Sequence, residues 1–402
     1  MRLLHTSDWH LGRTLFQTSL HTAHEAFLAW LLETAVEQKV DAVLVSGDVY
    51  DRAVPPLDSV QLLDRTFLAF AEAGVPLVVV SGNHDSAVRL GFGTGLAAAS
   101  RIHLRTTLAG LTDPVVLTDE HGDVAVYGVP YLLPDAAKDA LGVERSHEAV
   151  LGEATRRILA DAAERGIART VVLSHAFVTS RRPDDRLDDA ALKAVGTDSE
   201  RDVRVGGIGD APASVFEGVS YVALGHLHRP QQVTLAGSSS TVLRYSGSPL
   251  AFSFSEKDDT KSVTLVEIDG QGAVSTSTLQ TPVPRPLREV RGRLDDLVQR
   301  ASTDLADLAE AWVKVVLTDP SRPAAPMERL REHWPHTLVL DFAPDGSAVS
   351  EETDLARLRR TTDPVEVCTL FVEYVDRVPP TDEESLLLRD AVEAVRHAEV
   401  SG

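Results

Sequence analysis

The segment VVVSGNHDS, Val78–Ser86, decides the fold class and points to a site. An apolar run of β-branched residues ends in Ser-Gly, a pattern typical of a buried strand that stops at a turn. Asn83, His84 and Asp85 then follow without a gap. In open α/β sheets, ligand sites form beyond the carboxyl ends of the strands. The segment therefore predicts a strand that brings an amide, an imidazole and a carboxylate to one point.

The segments before it alternate between strand and helix patterns. RLLHTSD (2–8) and the near-continuously apolar DAVLVSGD (41–48) have strand patterns, and the second is typical of a sheet covered on both faces. Residues 20–38 and 57–74 place apolar side chains at helical spacing, and Gly74 is expected to close the second helix. The order strand, helix, strand, helix, strand favours an α/β domain.

The pattern continues, with shorter elements, beyond about residue 100. Two further strands, DVAVYGVPY and RTVVLSHAF, flank a helix over residues 147–166. Four segments then follow as consecutive strands: SYVALGHLHRP, QQVTLAG, TVLRYSGSP and SVTLVEI. We expect a second sheet packed on the first, with helices outside both. The predicted fold class is therefore α/β, with two packed mixed β-sheets flanked by helices over residues 1–280.

A connector with prolines at 282, 284 and 286 is expected to separate a second domain, because such spacing stiffens the chain. Beyond it, alternating strand and helix patterns predict a smaller α/β domain over residues 281–375. The strands are LREVRGRL, WVKVVLTD and TLVLDFAP, and the helices are LDDLVQRASTDLADL and APMERLREHW. The tail, residues 376–402, has apolar residues at helical spacing from Leu386 to Val395, which predicts a C-terminal amphipathic helix that packs on another surface.

Composition narrows the functional classes. The 402 residues include one cysteine, Cys368, which excludes a disulfide framework and a cysteine-based zinc site. The N-terminal MRLLHTSDWHLG predicts no signal peptide, and no run reaches the roughly 18–20 apolar residues of a membrane span. The net charge of −21 lowers the expectation of nucleic-acid binding. It does not exclude such binding, since bound divalent cations change the local sign of a site.

Five predicted strand ends carry polar residues of one kind, whereas one histidine alone is more often a core or surface residue. The candidate ligands are Asp8, His10, Asp48, Asn83, His175, His226 and His228. Oxygen and imidazole donors without thiolate suit Mn²⁺, Mg²⁺ or Fe²⁺, and Zn²⁺ remains open. The set is too large for one four-coordinate ion and suits two octahedral ions that share a carboxylate. Two such ions, roughly 3.5–4 Å apart, can bind the attacking and departing oxygens of a phosphoryl displacement.

Other polar residues near these strand ends have weaker patterns. Asp51 and Asp85 are candidates for carboxylates that orient imidazoles from behind. The remaining histidines of the first domain have no such setting, and we interpret them as ordinary: His5, His21, His24, His103, His121 and His147.

The motifs together resemble the calcineurin-like metallophosphoesterase superfamily. They are Asp8-x-His10, Gly47-Asp48, Gly82-Asn83-His84-Asp85, His175 and Gly225-His226-x-His228. The stretches TSDWHLGR, SGDVYDRAVPP and ALGHLHRPQ are similar to one branch, the SbcD family of bacterial nuclease subunits. The resemblance covers roughly residues 1–280, and the following domain resembles the DNA-capping domain of that family through weaker motifs.

The resemblance implies which of these residues bind metal and which one is catalytic. One cation would be held by Asp8, His10, Asp48 and His228, and the other by Asp48, Asn83, His175 and His226, with Asp48 as the bridge. His84 would bind no metal. It would face the scissile phosphate and protonate the departing sugar oxygen, as the catalytic residue of the site.

The resemblance also implies a function and partners. The activity would be a metal-dependent DNA nuclease, an exonuclease on double-stranded ends and an endonuclease on single strands and hairpins. Such an enzyme serves DNA end processing, repair, replication and recombination. Two cations are implied, most often Mn²⁺ with Mg²⁺ as the alternative. The implied partners are DNA, an SbcC-type coiled-coil ATPase in a heterotetramer, and a second copy of this chain joined through the nuclease domain. No membrane is involved, and the expected location is the cytoplasm, at the nucleoid.

Two other functions stay open at this point. The first is a small-molecule phosphodiesterase or phosphatase on the same two-cation core. The second domain argues against it, because its first strand region carries Arg285, Arg288, Arg291 and Arg293, although a solvated face explains those arginines equally well. The second is a scaffold that has kept the fold without chemistry, which the complete ligand set argues against.

Overall fold

The structure is a computed structural model that describes residues 1–180, 210–235, 239–344, 364–376 and 379–400. The chain divides into two compact units, Met1–Pro284 and Arg285–Gly402. None of the helices in the described ranges is long and apolar enough to cross a membrane.

The helices of the described residues fall in both units. They are α1 (His21–Glu37), α2 (Leu57–Ala73), α3 (Ala87–Leu90), α4 (Thr94–Ala99), α5 (Pro134–Leu141), α6 (His147–Arg165), α7 (Leu294–Arg300), α8 (Pro326–Arg331), α9 (Pro364–Asp376) and α10 (Asp382–Val400). Short 3₁₀ turns lie at Leu108–Gly110, Ala213–Phe216, Phe254–Glu256 and Ala306–Glu310.

The strands belong to three main sheets and two short pairs. They are β1 (Arg2–Thr6), β2 (Thr14–Leu15), β3 (Thr18–Ser19), β4 (Ala42–Ser46), β5 (Leu77–Val80), β6 (Ile102–Arg105), β7 (Val115–Asp119), β8 (Gly122–Val129), β9 (Arg169–His175), β10 (Val178–Thr179), β11 (Ala211–Pro212), β12 (Tyr221–Gly225), β13 (Gln231–Val233), β14 (Val242–Tyr245), β15 (Ser262–Ile268), β16 (Val274–Gln280), β17 (Leu287–Gly292), β18 (Trp312–Leu317) and β19 (Thr337–Phe342).

The first sheet contains the opening strand, helix, strand pattern of the sequence. Its strand order is β16-β15-β1-β4-β5-β6, and β1, β4, β5 and β6 run parallel. Helices α1 and α2 cover the outer face, where Phe27 and Phe70 pack against Val43 and Val79. Gly74 closes α2 in the left-handed conformation, with φ of 71°, as predicted. The carboxyl ends of β1, β4 and β5 therefore meet at one edge of this sheet.

The second sheet has the order β13-β14-β12-β9-β8-β7, with β8, β9, β12 and β14 parallel. Its outer face packs on α5 and α6 through residues such as Leu151 and Ile158. Its inner face meets the first sheet, where Leu44 and Val78 share a core with Val126 and Leu173. The layers are thus helix, sheet, sheet, helix, and the predicted α/β fold class with two packed mixed sheets is confirmed.

One strand was expected in the wrong sheet. We expected SVTLVEI to continue the second sheet, but β15 pairs antiparallel to β1 in the first sheet, with Leu3 opposite Val266. Both faces of this strand are apolar: Val263 and Leu265 pack with the helix layer, and Val266 packs between the sheets. Either sheet would have covered both faces, so the pattern alone did not decide between them. The following strand, β16, was not predicted.

The second unit has a small parallel sheet in the order β17-β18-β19. Leu297 of α7, Val315 and Trp334 are buried in its core. The single helix expected over residues 294–308 is instead α7 followed by a separate 3₁₀ turn. Thr303 donates its hydroxyl to the Arg300 carbonyl at 3.2 Å, a local side-chain bond that competes with helix propagation. At the C-terminal end of this unit, α9 and α10 contact each other.

Candidate metal centre

The candidate residues lie at the carboxyl end of β9 or on the loops that follow β1, β4, β5 and β12. The first three strands end at one edge of the first sheet, and the last two end side by side in the second sheet, where Gly225 pairs with His175. Contacts across the sandwich join the two edges, because the backbone N–H of His226 donates to Asp8 Oδ1 at 3.0 Å. The site is therefore built from both sheets at the carboxyl ends of their parallel strands.

The loops reach this point through unusual backbone conformations. Asp8, His10, Asp48 and His226 have φ of 54°, 47°, 49° and 109°, in the region that side chains other than glycine rarely adopt. Backbone bonds hold them there: Asp8 N–H donates to the Gly47 carbonyl at 3.0 Å, and His10 N–H to the Asp48 carbonyl at 2.9 Å. Strain of this kind persists only where the surrounding structure enforces it, and it gathers at functional sites.

Two glycines allow the sheets to approach each other closely at the site. A Cβ on Gly225 would collide with the carbonyl oxygen of Ser46, and a Cβ on Gly47 would collide with the ring of His175. Gly47 also has φ of 87°. The glycines that precede Asp48 and His226 in the sequence motifs are therefore required by packing between the two sheets.

One half of the site consists of Asp8, His10 and His228, which we call the His10 side. These three residues are buried, and one ligand atom from each lies within 4.8 Å of the others. The Nε2 atoms of His10 and His228 are 3.2 Å apart, so both rings point these nitrogens at the same place. Ser7 Oγ donates to Asp8 Oδ2 at 2.5 Å and fixes that carboxylate.

The other half consists of Asn83, His175 and His226, which we call the His175 side. The amide oxygen Oδ1 of Asn83 lies 2.9 Å from His175 Nε2 and 3.2 Å from His226 Nδ1. Asp48 lies between the two sides, since its Oδ2 is 3.4 Å from His175 Nε2 and 3.6 Å from His10 Nε2. The other six candidate ligands are thus brought together around the Asp48 carboxylate.

Burial sets the protonation of these groups. It lowers the pKa of His10 well below the usual range and that of His226 to about 3, so both rings are neutral at pH 7 and offer a lone pair. Burial also raises the pKa of Asp8 to about 6. Burial opposes a charge on His175, yet the carboxylate of Asp48 raises its pKa to about 9. The negative charge of Asp48 therefore attracts positive charge to the middle of the centre.

Neutral imidazoles, carboxylates and an amide oxygen form a donor set that suits divalent cations. The number of donors and the central carboxylate fit a two-cation site. Neutral His10 and His226 each offer a lone pair to such cations, and the negative charge of Asp48 that favours a proton on His175 would also favour a cation in place of that proton.

His84 sits at the edge of this cluster and is half-buried. Its backbone N–H donates to Asp48 Oδ1 at 2.9 Å. Its Nδ1 lies 2.8 Å from the Asp51 carbonyl oxygen, which only accepts, so Nδ1 carries the proton and Nε2 is left for another partner. The ring stands edge-on to His10 at 4.8 Å, and one nitrogen of His84 lies within 4.8 Å of ligand atoms of His10 and Asp48. By distance alone, Nε2 can meet a substrate oxygen or a cation.

Asp51 and Asp85 occupy different places. Asp51 Oδ1 lies 3.6 Å from His10 Nδ1 and accepts from Arg13 at 3.0 Å. This carboxylate therefore lies behind the His10 ring, at the nitrogen that points away from the centre. Asp85 accepts from the backbone N–H groups of Gly82 and Tyr50 at 2.9 and 2.8 Å, and joins the loop after β5 to the loop after β4. Burial and the charge of Asp48 raise the pKa of Asp85 to about 6.

The six histidines interpreted as ordinary lie outside the groups of candidate ligands found in the described residues. His5 is buried between the sheets, where its Nδ1 lies 2.8 Å from the Tyr221 hydroxyl oxygen. His24 is also buried, within 6.4 Å of Phe252 measured between ring centres.

The sequence did not point to three further residues at the site. Glu256 and Lys261 form a buried ion pair behind His228, and the Phe252 ring contacts the rings of His10 and His228 at 5.2 and 5.3 Å between centres. No motif surrounds them in FSFSEKDDTKS, and their contacts depend on how the loop after β14 folds back. Only the structure shows that Glu256 and Lys261 are buried in that loop.

Comparison with known proteins agrees with this geometry. The profile of the calcineurin-like phosphoesterase family matches residues 1–230. The profile of the SbcD C-terminal family, described as the type 5 capsule protein repressor C-terminal domain, matches residues 283–376. The first match covers more than half of the 402 residues and contains every candidate ligand.

Curated relatives match most of the chain. The SbcD subunit of the SbcCD nuclease from Escherichia coli strain K12 is 31% identical, over 79% of this chain and 78% of its own length. The same subunit from Rhodobacter capsulatus is 33% identical, over 81% and 78% of the two chains. That of Bacillus subtilis strain 168 is 37% identical, over 66% of each chain. The chain therefore belongs to the calcineurin-like phosphoesterase family, and within it to the SbcD branch.

Proposed function

We propose that this chain is the metal-dependent nuclease subunit of an SbcCD-type complex and hydrolyses DNA phosphodiester bonds. The activity includes exonuclease action on double-stranded ends and endonuclease action on single strands and hairpins. The proposal is supported most strongly by one observation: donors from five strand ends of two sheets converge on the buried carboxylate of Asp48.

The two sides of the centre suggest how two cations would be held. Asp8, His10 and His228 would bind one, Asn83, His175 and His226 would bind the other, and Asp48 would bind both. Mixed oxygen and imidazole donors without thiolate suit Mn²⁺, with Mg²⁺ as the alternative. When bound, such a pair stabilises charge on the phosphate oxygens and activates water as a nucleophile.

His84 would act on the departing oxygen rather than bind a cation. Its Nδ1–H is engaged by the Asp51 carbonyl, which fixes the half-buried ring and leaves Nε2 for the substrate. A proton held on Nε2 would pass to the sugar oxygen as the phosphodiester bond breaks. Positioned proton transfer of this kind typically contributes about 10²–10⁴ in rate.

A second copy of this chain would bind through the nuclease unit. Neighbouring helices expose a set of apolar side chains, with Leu68 on α2, Val88 on α3, Phe92 after it and Leu96 on α4. Val88, Phe92 and Leu96 are 82%, 88% and 83% exposed. Apolar residues grouped in this way commonly mark a protein interface. Light scattering should report a dimer, and Phe92→Ser with Leu96→Ser should shift it to the monomer mass.

DNA and an SbcC-type coiled-coil ATPase would be the other partners, in a heterotetramer located in the cytoplasm at the nucleoid. The DNA-capping domain, proposed over residues 281–375, exposes Arg288, Arg291 and Arg293. Exposed arginines can bind the phosphate backbone, although the acidic chain as a whole does not attract it. The remaining residues, 376–402, are proposed as the separate C-terminal tail.

The decisive experiment incubates the full chain with labelled linear duplex DNA and Mn²⁺, with and without the partner ATPase and ATP. We expect shortened products with Mn²⁺ and none after chelation. Asp48→Asn should give no products, whereas the matched control Asp139→Asn, an exposed carboxylate on α5, should match the unsubstituted chain. Turnover of small phosphodiesters with no DNA cleavage under any of these conditions would favour the alternative, a small-molecule phosphodiesterase.

A further inference from the structure

We propose that Glu256, held in place by Lys261, is a positioning residue that sets the orientation of the His228 imidazole. The inference rests on the proposed function, because it assigns His228 Nε2 to a bound cation. It concerns two residues that no motif or family match singles out.

The geometry around His228 carries the inference. One ring nitrogen, Nε2, points into the centre and lies 3.2 Å from His10 Nε2. The other, Nδ1, faces Glu256 Oε1 at 3.7 Å. Both residues are almost fully buried, with 2% and 1% of their surface exposed. A carboxylate behind one nitrogen favours a proton there, and that leaves the lone pair of the ring on the nitrogen that faces the cation.

Lys261 fixes this carboxylate. Its ammonium lies 2.6 Å from Glu256 Oε2 and donates to the backbone carbonyl of His228 at 3.0 Å. It also donates to Ser248 Oγ at 3.0 Å, and only 2% of Lys261 is exposed. One ammonium therefore holds both the backbone of His228 and the carboxylate that faces its ring.

The same arrangement occurs on the neighbouring imidazole. His10 Nδ1 faces Asp51 Oδ1 at 3.6 Å, and Arg13 lies 3.0 Å from that oxygen. Both rings of the His10 side thus have a carboxylate behind Nδ1 and a cationic side chain behind the carboxylate. On the other side, His175 Nδ1 donates to the Ser46 backbone carbonyl at 2.8 Å. The repeated pattern indicates a role at the centre rather than a chance ion pair.

The alternative is that Glu256 only stabilises the fold of its loop and has no effect on the His228 ring. Glu256 Oε2 also accepts from the Phe252 backbone N–H at 3.3 Å, and Oε1 accepts from the Ser253 hydroxyl at 3.2 Å. These bonds close the loop that presents Phe252 to His10 and His228. A structural role alone predicts that substitution changes unfolding, with no selective effect on one cation or on the His228 ring.

The first test is read on the unsubstituted chain, and a substitution serves only to assign the signal. The full chain is labelled with ¹⁵N in its histidine rings, freed of metal, and studied by two-bond ¹H–¹⁵N correlation at pH 8.5, with His228→Gln used for assignment. We expect a proton on His228 Nδ1. A bare Nδ1 would overturn the inference.

The second test removes the carboxylate and the ammonium together. Glu256→Met with Lys261→Met replaces a buried ion pair by apolar side chains of similar volume, a change that is often neutral for stability. Glu256→Gln with Lys261→Met keeps an acceptor facing the ring. The control is Asp119→Asn with Arg169→Met, a largely buried pair in the same unit, whose arginine begins β9 at the end remote from His175.

The readouts are calorimetric Mn²⁺ titration and thermal unfolding without metal. We call the chain with Glu256→Met and Lys261→Met the Met/Met chain, and the chain with Glu256→Gln and Lys261→Met the Gln/Met chain. In the Met/Met chain we expect one of the two Mn²⁺ binding steps to weaken by about 10–100-fold, the usual effect of losing a partner behind a ligand. The Gln/Met chain should recover most of that loss, and the control chain should bind Mn²⁺ as the unsubstituted chain does. If the Met/Met chain does not fold, the comparison of the Gln/Met chain with the control and the tautomer measurement decide.

The outcomes separate this inference from the proposed function. An unsubstituted chain that binds no Mn²⁺ would overturn both. Two Mn²⁺ steps in the unsubstituted chain, with the same two affinities in the Met/Met chain, would overturn the role of Glu256 alone and leave the nuclease proposal standing.

Discussion

The two sides of the metal centre differ in what stands behind their imidazoles. On the His10 side, His10 and His228 face the carboxylates of Asp51 and Glu256, which are held by Arg13 and Lys261. On the His175 side, the corresponding nitrogen of His175 donates to the neutral carbonyl of Ser46. The ligand types on the two sides are similar, but the charge behind them is not.

This difference teaches that equivalent ligand motifs need not give equivalent sites. A carboxylate behind an imidazole raises the basicity of the ring nitrogen that binds metal. The His10 side should therefore hold its cation more tightly than the His175 side. The tighter position would act as the resident one, and the other would fill at higher Mn²⁺ concentration.

The largest effect should come from the residue that both sides share. Asp48→Asn removes the charge placed between them, so we expect loss of both high-affinity Mn²⁺ steps and of all nuclease activity. The measurement is calorimetric Mn²⁺ titration beside the duplex assay, with Asp139→Asn as the control. Two steps of unchanged affinity in the Asp48→Asn chain would show that the two sides do not share this carboxylate.

The next largest effect should come from His84, which we assign to neither side of the centre. His84→Ser should leave both Mn²⁺ steps and DNA affinity near normal while lowering the nuclease rate by about two orders of magnitude or more, because the departing sugar oxygen loses its proton donor. Bis-p-nitrophenyl phosphate, with a better leaving group, should lose less.

The matched control for this change is His121→Ser, at an exposed histidine between β7 and β8 that lies outside the centre. Equal losses on DNA and on the chromogenic substrate, together with loss of one Mn²⁺ step, would place His84 among the ligands. That result would extend the His10 side to include His84.

A smaller change separates the two sides directly. Asn83→Ala removes an oxygen that faces both His175 and His226, so we expect the weaker Mn²⁺ step to fall by more than the about 10–100-fold that loss of a partner behind a ligand costs, while the tighter step changes little. Titration of this variant beside Asp51→Asn gives the contrast, since Asp51 supports the other side. Loss of the tighter step in the Asn83→Ala chain would reverse the proposed ranking.

The smallest effect on chemistry should follow removal of residues 381–402. Helix α10 exposes Leu386 and Leu387, which favours docking on the partner ATPase or on another surface of this chain. Hydrolysis of bis-p-nitrophenyl phosphate should be unchanged in the shortened chain, and pull-down of the partner should weaken. If partner binding and thermal stability both stay as they were, the helix has no docking role.

The sequence was informative where local pattern and function coincide. Asp48, Asn83 and His175 each lie at or just beyond the end of a buried strand, so the strand pattern itself predicted that they gather at one edge. The layered α/β architecture followed from the same alternation. Gly74 was predicted to end its helix because glycine readily adopts the left-handed conformation, and this prediction is confirmed.

Features that depend on distant contacts could not be predicted in this way. Strand β15 has two apolar faces that either sheet could cover, so its place beside β1 was not encoded locally. One local feature was missed as well: the helix expected over residues 294–308 ends before Thr303, whose hydroxyl donates to the Arg300 carbonyl. Glu256 lies 28 positions after His228 in the sequence, and only the folded loop brings the carboxylate behind the ring.

Crystals of the full chain grown with Mn²⁺ and measured at the manganese absorption edge would test the central claim most directly. We predict two anomalous peaks roughly 3.5–4 Å apart, with Asp48 touching both, His10 and His228 at one, and His175 and His226 at the other. The peak on the His10 side should persist at lower Mn²⁺ concentration. A single peak at saturating Mn²⁺, or two peaks that do not share Asp48, would contradict the account.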